Sequence, residues 1–221
     1  MTHSFSQKLV AEFIGTAGLL ATVIGSGIMG EALAGGNVTI ALLGNTISTG
    51  AMLVVLIWVF GPISGAHFNP AVTITFAIRG EISPRDSAIY ILVQVLGGLV
   101  GMSVAHLMFD LSLLQESTKV RTGLGQWVAE GVATFGLVAT IVGCLRARPD
   151  AVAMAVGLYI TAGYWFTAST SFANPAVTVS RSFTDTFAGI QPGDAPAFIG
   201  MQFAGAVLAV LVMRWLWRDA D

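Results

Sequence analysis

Charge is what this chain has least of. Only 10% of its 221 residues are Asp, Glu, Lys or Arg, against about 25% in ordinary soluble domains. With 55% hydrophobic residues that composition belongs to a membrane protein. Net charge is −2 and no basic block occurs, so nucleic acid is excluded as a partner. One cysteine, Cys144, rules out a disulfide framework and a cysteine metal cluster; it reads as a small apolar packing residue. Three scattered histidines and this one cysteine supply no nucleophile–base pair and no metal centre, so neither an enzyme nor a bound metal or cofactor is expected. His106, at the end of an apolar run, reads as an interfacial residue. The polar start, Met1 to Lys8, runs into an apolar segment without a cleavage pattern, which predicts a retained first span.

What is abundant is apolar length. Six segments, 9–28, 38–60, 86–108, 126–145, 151–168 and 197–217, are long enough for about 30 Å of hydrocarbon. Six crossings put both termini on one side. With both inside, Lys8, Arg79, Arg85, Arg146, Arg148, Arg214 and Arg218 are cytoplasmic, and Lys119, Arg121 and Arg181 lie outside. That bias predicts cytoplasmic termini in a cell membrane. Small-residue runs such as Gly97 to Gly101 allow close helix packing, within one chain or between copies.

The chain also repeats itself. AEFIGTAGLLATVIG (11–25) aligns with AEGVATFGLVATIVG (129–143), with 8 of 15 positions identical, Glu12 matching Glu130 and Thr16 matching Thr134. Gln94 has a counterpart in Gln202, and NPAVT occurs at 69–73 and 174–178. Three spans per half is an odd number, so the halves, approximately 1–109 and 124–221, enter from opposite sides. Such an inverted repeat places a solute path at the interface of the halves, near the bilayer midplane.

Each NPAVT lies in a segment too short to cross. Asn caps free N–H groups and Pro fits the first helical position, so Asn-Pro starts a helix. From Asn69 to Arg79 there is room for about 16 Å of it, half the hydrocarbon core. The stretches before it, 64–68 and 170–173, are expected to be extended, which is tolerated at that depth where backbone is buried in protein or lines a watery path. Two such starts facing each other each carry about half a positive charge and repel cations. The amides of Asn69 and Asn174 offer donors and loop carbonyls offer acceptors, a combination suited to a neutral hydroxyl-bearing solute.

SGAHFNPAVT (64–73) and AEFIGT (11–16) resemble signatures of the major intrinsic proteins, the aquaporins and aquaglyceroporins, and the likeness covers nearly the whole chain. It implies an all-α membrane fold of six transmembrane helices and two re-entrant half-helices, assembled as a homotetramer with a pore in each subunit. It makes Asn69-Pro70-Ala71 and Asn174-Pro175-Ala176 the pore motifs, and Glu12 and Glu130 braces of the re-entrant loops. Gly65, Ala66, Phe172 and Ala173 would line the pore. His67 would border its inner part, or be a satisfied buried histidine.

In most members an arginine follows the second motif at once; here Val177 stands there. By spacing, the other filter positions are Thr49, Ala162 and Ser171, with Gly163 or Tyr164 as alternatives for the span-five corner. Thr, Ala, Ser and Val make a wide filter without aromatic or charge, for solutes bulkier than water: polyols, urea-like molecules and metalloid hydroxides such as arsenous acid. A missing arginine resembles a bacterial subgroup associated with arsenic resistance, and only that resemblance adds methylated arsenicals. Arg181, four residues past Val177, either guards the outer mouth or lies at the interface, snorkelling to water or pairing with Asp185. A water-selective aquaporin is the alternative within the class, and a secondary transporter, which shares inverted repeats, the alternative outside it.

Overall fold

A computed structural model describes residues 3–218. The described residues form eight α-helices, α1 (Phe5–Leu33), α2 (Val38–Ser64), α3 (Pro70–Ile78), α4 (Pro84–Met108), α5 (Leu124–Ala147), α6 (Val152–Phe166), α7 (Pro175–Arg181) and α8 (Ala195–Leu216). The order of two helices, a short helix and a third helix occurs twice.

Helix starts follow local chemistry. Ser4 and Gln7 form a reciprocal capping box at α1, the Asn37 side chain accepts from Thr39 and Ile40 at α2, and Ser83 caps α4 with Pro84 at its first position. α2 ends on Gly65, whose φ of +89° a side chain would resist. α3 and α7 both begin on Asn-Pro, as expected.

Five helices, α1, α2, α4, α5 and α8, are long and apolar enough to cross a membrane. The expected crossing at 151–168 is shorter. α6 has 15 residues, about 22 Å of helix, preceded by a single 3₁₀ turn, Pro149–Ala151. It stops because Thr167 turns to extended backbone at φ −107°, ψ 136°.

Contact between helices is made close by missing side chains. A Cβ on Gly101 would lie 2.8 Å from the Ala17 Cα, and one on Gly97 3.2 Å from the Phe13 Cα. The 97–101 run therefore packs α4 on α1 of the same chain, settling which of the two partners it serves. Gly205 likewise brings α8 against the α5 backbone, and Gly50 and Gly157 join α2 to α6 across the halves. Between these pairs lies the apolar core that includes Leu20, Ile24, Met102 and Phe198.

Candidate functional site

The two short helices start deep inside the molecule, and the loops feeding them are held in unusual backbone. Ala66 and Phe68 before α3, and Thr170, Ser171 and Ala173 before α7, all have φ between +48° and +64°. Left-handed non-glycine residues cost on the order of 1–3 kcal/mol each and persist only where their surroundings fix them.

The fixing groups are the two repeated glutamates, both fully buried. Glu12 accepts from Ser64 Oγ at 2.6 Å and His67 N at 2.9 Å on one oxygen, and from Phe68 N at 2.7 Å and Gln94 Nε2 at 2.8 Å on the other. Glu130 accepts from Phe172 N and Ala173 N, each at 2.9 Å, and from Gln202 Nε2 at 2.6 Å. Gln94 and Gln202 also reach Thr73 and Thr178 at 2.9 Å, tying each brace to its short helix. A carboxylate holding three or four donors offsets most of its desolvation.

The asparagines then meet. Asn69 Nδ2 donates to the Ala173 carbonyl at 2.7 Å, and Asn174 Nδ2 donates to the Phe68 carbonyl at 2.8 Å. Each side-chain carbonyl meanwhile caps its own helix, Asn69 on Ala71 N and Asn174 on Ala176 N, both at 2.9 Å. One amide hydrogen of each asparagine remains for another acceptor.

A cavity of about 500 Å³ passes this junction. Its inner part, so called for lying toward the face where α1 begins, is walled by Gly65, Ala66 and His67, its middle by Asn69 and Asn174, and its outer part, toward the opposite face, by Thr49, Phe172 and Val177. His67 is half-buried. It lines the cavity while Nδ1 sits 3.1 Å from Thr73 Oγ1 and the ring stacks on Phe76 at 4.5 Å. Pro70, Ala71, Pro175, Ala176 and Ala173 are buried behind the wall, where Ala173 contributes its carbonyl.

Residues 1–149 match the family profile of the major intrinsic proteins. The chain is 57% identical over 215 residues to the aquaglyceroporin AqpS of Rhizobium meliloti, covering 97% of this chain and 92% of that one. The chain belongs to the major intrinsic protein family. It is a channel for small solutes and not an enzyme. More distant members include the probable aquaporin NIP4-2 of Arabidopsis thaliana, 32% identical over 90% of this chain and 72% of that one. The probable aquaporin NIP-type of Nicotiana alata is 36% identical over 70% of this chain, a match that spans 58% of that relative. The crystal structure of the Plasmodium falciparum aquaglyceroporin shares the fold, with a TM-score of 0.72 over 96% of this chain and 95% of that one at 21% identity.

In this major intrinsic protein the outer constriction differs from the one that spacing predicts. Ala162 is exposed and lies off the cavity. Tyr164, two residues on, is buried and lines it, with its hydroxyl 3.2 Å from Thr49 Oγ1. Counting back from Asn174 crosses the irregular stretch 167–173, with left-handed backbone at Thr170, Ser171 and Ala173, so even spacing misses the helical face of α6 that meets the cavity. Gly163 stands behind Ser171, where a Cβ would come within 2.9 Å of the Ser171 Cβ. Ser171 Oγ is buried without a protein partner. The ring is thus Thr49, Tyr164, Ser171 and Val177: three hydroxyls, one of them on an aromatic, and one aliphatic side chain.

Nor is the outer end free of charge. Arg181 is only 2% exposed, lines the cavity, and lays its guanidinium over the Phe172 ring at 3.4 Å. Its Nε donates to the Ala188 carbonyl. Pairing with Asp185 does not occur, because that carboxylate accepts from Thr118 N at 2.9 Å and Thr118 Oγ1 at 3.0 Å, bonds that hold it below the usual carboxylate range. The interfacial reading of Arg181 is therefore overturned.

Arg121 escaped sequence reasoning altogether. It is buried, with Nε on the Gly189 carbonyl at 2.8 Å, Nη1 on the Ser169 carbonyl at 3.2 Å, and its charge 5.0 Å from the Phe172 ring. Phe172 thus contacts two guanidiniums. Lys119 adds to the positive outer face; burial first, then Arg121 and Arg181, push its ammonium down to about 8. His106 is likewise no interfacial residue. It is fully buried, 3.0 Å from the Leu113 carbonyl and 2.8 Å from Thr184 Oγ1, anchoring the outer loop.

Proposed function

We propose that the protein is a passive channel for uncharged solutes bulkier than water: polyols, metalloid hydroxides such as arsenous acid, methylated arsenicals, and water as well. The observation that carries this reading is the outer ring, where Val177 occupies the place that the family likeness gives to arginine and three hydroxyls stand around it. A solute with several hydroxyls exchanges its hydration for Thr49, Tyr164 and Ser171, then for the free amide hydrogens of Asn69 and Asn174 and the loop carbonyls. A relative 57% identical to this chain bears the name aquaglyceroporin, which agrees with polyol passage. Assembly as a homotetramer in the cell membrane, with cytoplasmic termini, belongs to the same reading. Its support is the family likeness and the bias of basic residues toward the face where α1 begins.

Swelling of vesicles containing the protein tests the reading. Glycerol and arsenous acid are expected to enter along with water, at rates linear in their gradients and indifferent to proton or sodium gradients. Passage of water alone would establish the water-selective alternative, and coupling to an ion gradient the transporter.

Under the same reading Arg181 is the fixed charge that repels cations at the outer mouth, one helical turn beyond Val177. A unit charge about 4 Å from the path is worth on the order of 4 kcal/mol at an effective dielectric of 20. Arg181→Gln should therefore raise ammonium leak by about a hundredfold or more, while glycerol flux changes little. Current recordings that show no new cation leak would remove Arg181 from this role.

A further inference from the structure

A second cavity lies apart from the asparagines, where α3, α5 and α8 all end on the face at which α1 begins. Its floor is apolar and formed by Ile78, Val142, Leu145, Val210 and Met213. Its rim is cationic and aromatic. Arg79 comes from the end of α3, Arg146 from the last turn of α5, and Arg214, Trp215, Trp217 and Arg218 from the end of α8. Leu211, Arg214 and Trp215 follow the spacing of one face of α8, so Leu211 continues the apolar floor up to the charged rim, with Arg218 two residues past the helix end.

The charges in this cleft do not cancel among the described residues. Its one acidic member, Glu81, pairs with Arg79 at 2.5 Å. Arg146 lies 5.1 Å from the Trp217 ring, and neither it, Arg214 nor Arg218 has a carboxylate partner among those residues. Trp215 is 72% exposed and Leu211 59% exposed. Tryptophan at the end of a membrane helix marks the headgroup level.

We propose that this cleft binds one anionic glycerophospholipid, with an acyl chain along the floor and the headgroup phosphate on Arg146, Arg214 and Arg218. Two observations choose a lipid over a free phosphate. The floor runs continuously from apolar depth to cationic rim, which matches an amphiphile, and the guanidiniums stand beside exposed Trp215 rather than in a closed pocket. Guanidinium is also the side chain best shaped for two-point contact with phosphate oxygens. The proposal is independent of which solute crosses the pore.

Native mass spectrometry of the purified full chain, offered equal phosphatidylglycerol and phosphatidylcholine, reads the site directly. Basic residues near the membrane surface each contribute enough that three amount to about a hundredfold preference. The native chain should retain phosphatidylglycerol selectively. The triple variant Arg146→Gln, Arg214→Gln, Arg218→Gln should lose that preference, and the matching triple lysine variant should keep part of it. Glycerol flux in phosphatidylcholine vesicles should be the same in all three, confirming that the variants fold. Equal retention of both lipids, or a glutamine variant that still prefers phosphatidylglycerol, would overturn the proposal. So would displacement of the lipid by inorganic phosphate, which would make the cleft an anion site.

Discussion

Val177→Arg should cut glycerol and arsenous acid flux on the order of tenfold or more, equivalent to about 1.4 kcal/mol of added barrier, while water flux stays measurable. The introduced side chain would start from a buried position on the cavity wall. It would face the Thr49, Tyr164 and Ser171 hydroxyls, its available acceptors, so the extended guanidinium is drawn across the passage. Arg181 lies four residues further on α7, hence on the same face and about 6 Å outward. Repulsion from that charge prevents the new arginine from retreating toward the mouth. Stopped-flow swelling with water, glycerol and arsenite on both proteins decides the matter. If glycerol flux survives at the native rate while the variant is folded, Val177 does not set the width of the filter.

Glu12→Leu carries the largest expected effect on stability. It leaves the Ser64 hydroxyl, the His67 and Phe68 amides and the Gln94 amide without their acceptor in a fully buried site. Each orphaned donor costs on the order of 1–3 kcal/mol. Together they rival the whole 5–15 kcal/mol stability of a typical domain, and they also release Ala66 and Phe68 from left-handed backbone. The variant should be recovered in poor yield and without pore activity. Glu12→Gln should fall between, since its amide keeps one acceptor oxygen but turns an N–H₂ toward donors. A Glu12→Leu protein that melts within a few degrees of the native one, by fluorescence-detected size exclusion, and still conducts water would refute the bracing role.

Much of this was readable because repeated polar residues in an apolar chain need partners. Asn69, Asn174, Glu12, Glu130, Gln94 and Gln202 stood out for that reason, and their bonds are short and local to the half-helix starts. Spacing failed where backbone geometry changes the count. Spacing from the asparagines places the span-five corner at Ala162, with Gly163 or Tyr164 as alternatives, but that count runs through left-handed residues at Thr170, Ser171 and Ala173 before it reaches α6. Tyr164, not Ala162, turns inward. Arg121 had no local signal at all. Its burial depends on strand-like pairing of two distant loops, with Gln115 N on the Phe183 carbonyl at 3.1 Å, Ser117 N on the Ser182 carbonyl at 3.1 Å and Gln191 N on the Lys119 carbonyl at 2.7 Å. In the sequence it was only a positive charge counted on the outer side.

The crossed bonds between the asparagines also set an order of events during synthesis. The Asn69 amide has its acceptor on Ala173, 104 residues later in the chain. At 5–20 residues per second that is roughly 5 to 20 s of translation. Throughout that interval the first re-entrant loop is held by partners made within the first half, chiefly Glu12, Ser64 and Gln94, with Thr73 on His67 and Tyr90 on the Ser64 carbonyl. The brace is thus a scaffold for the nascent chain as well as a part of the finished pore, and the ribosome must deliver the second half before the first can close.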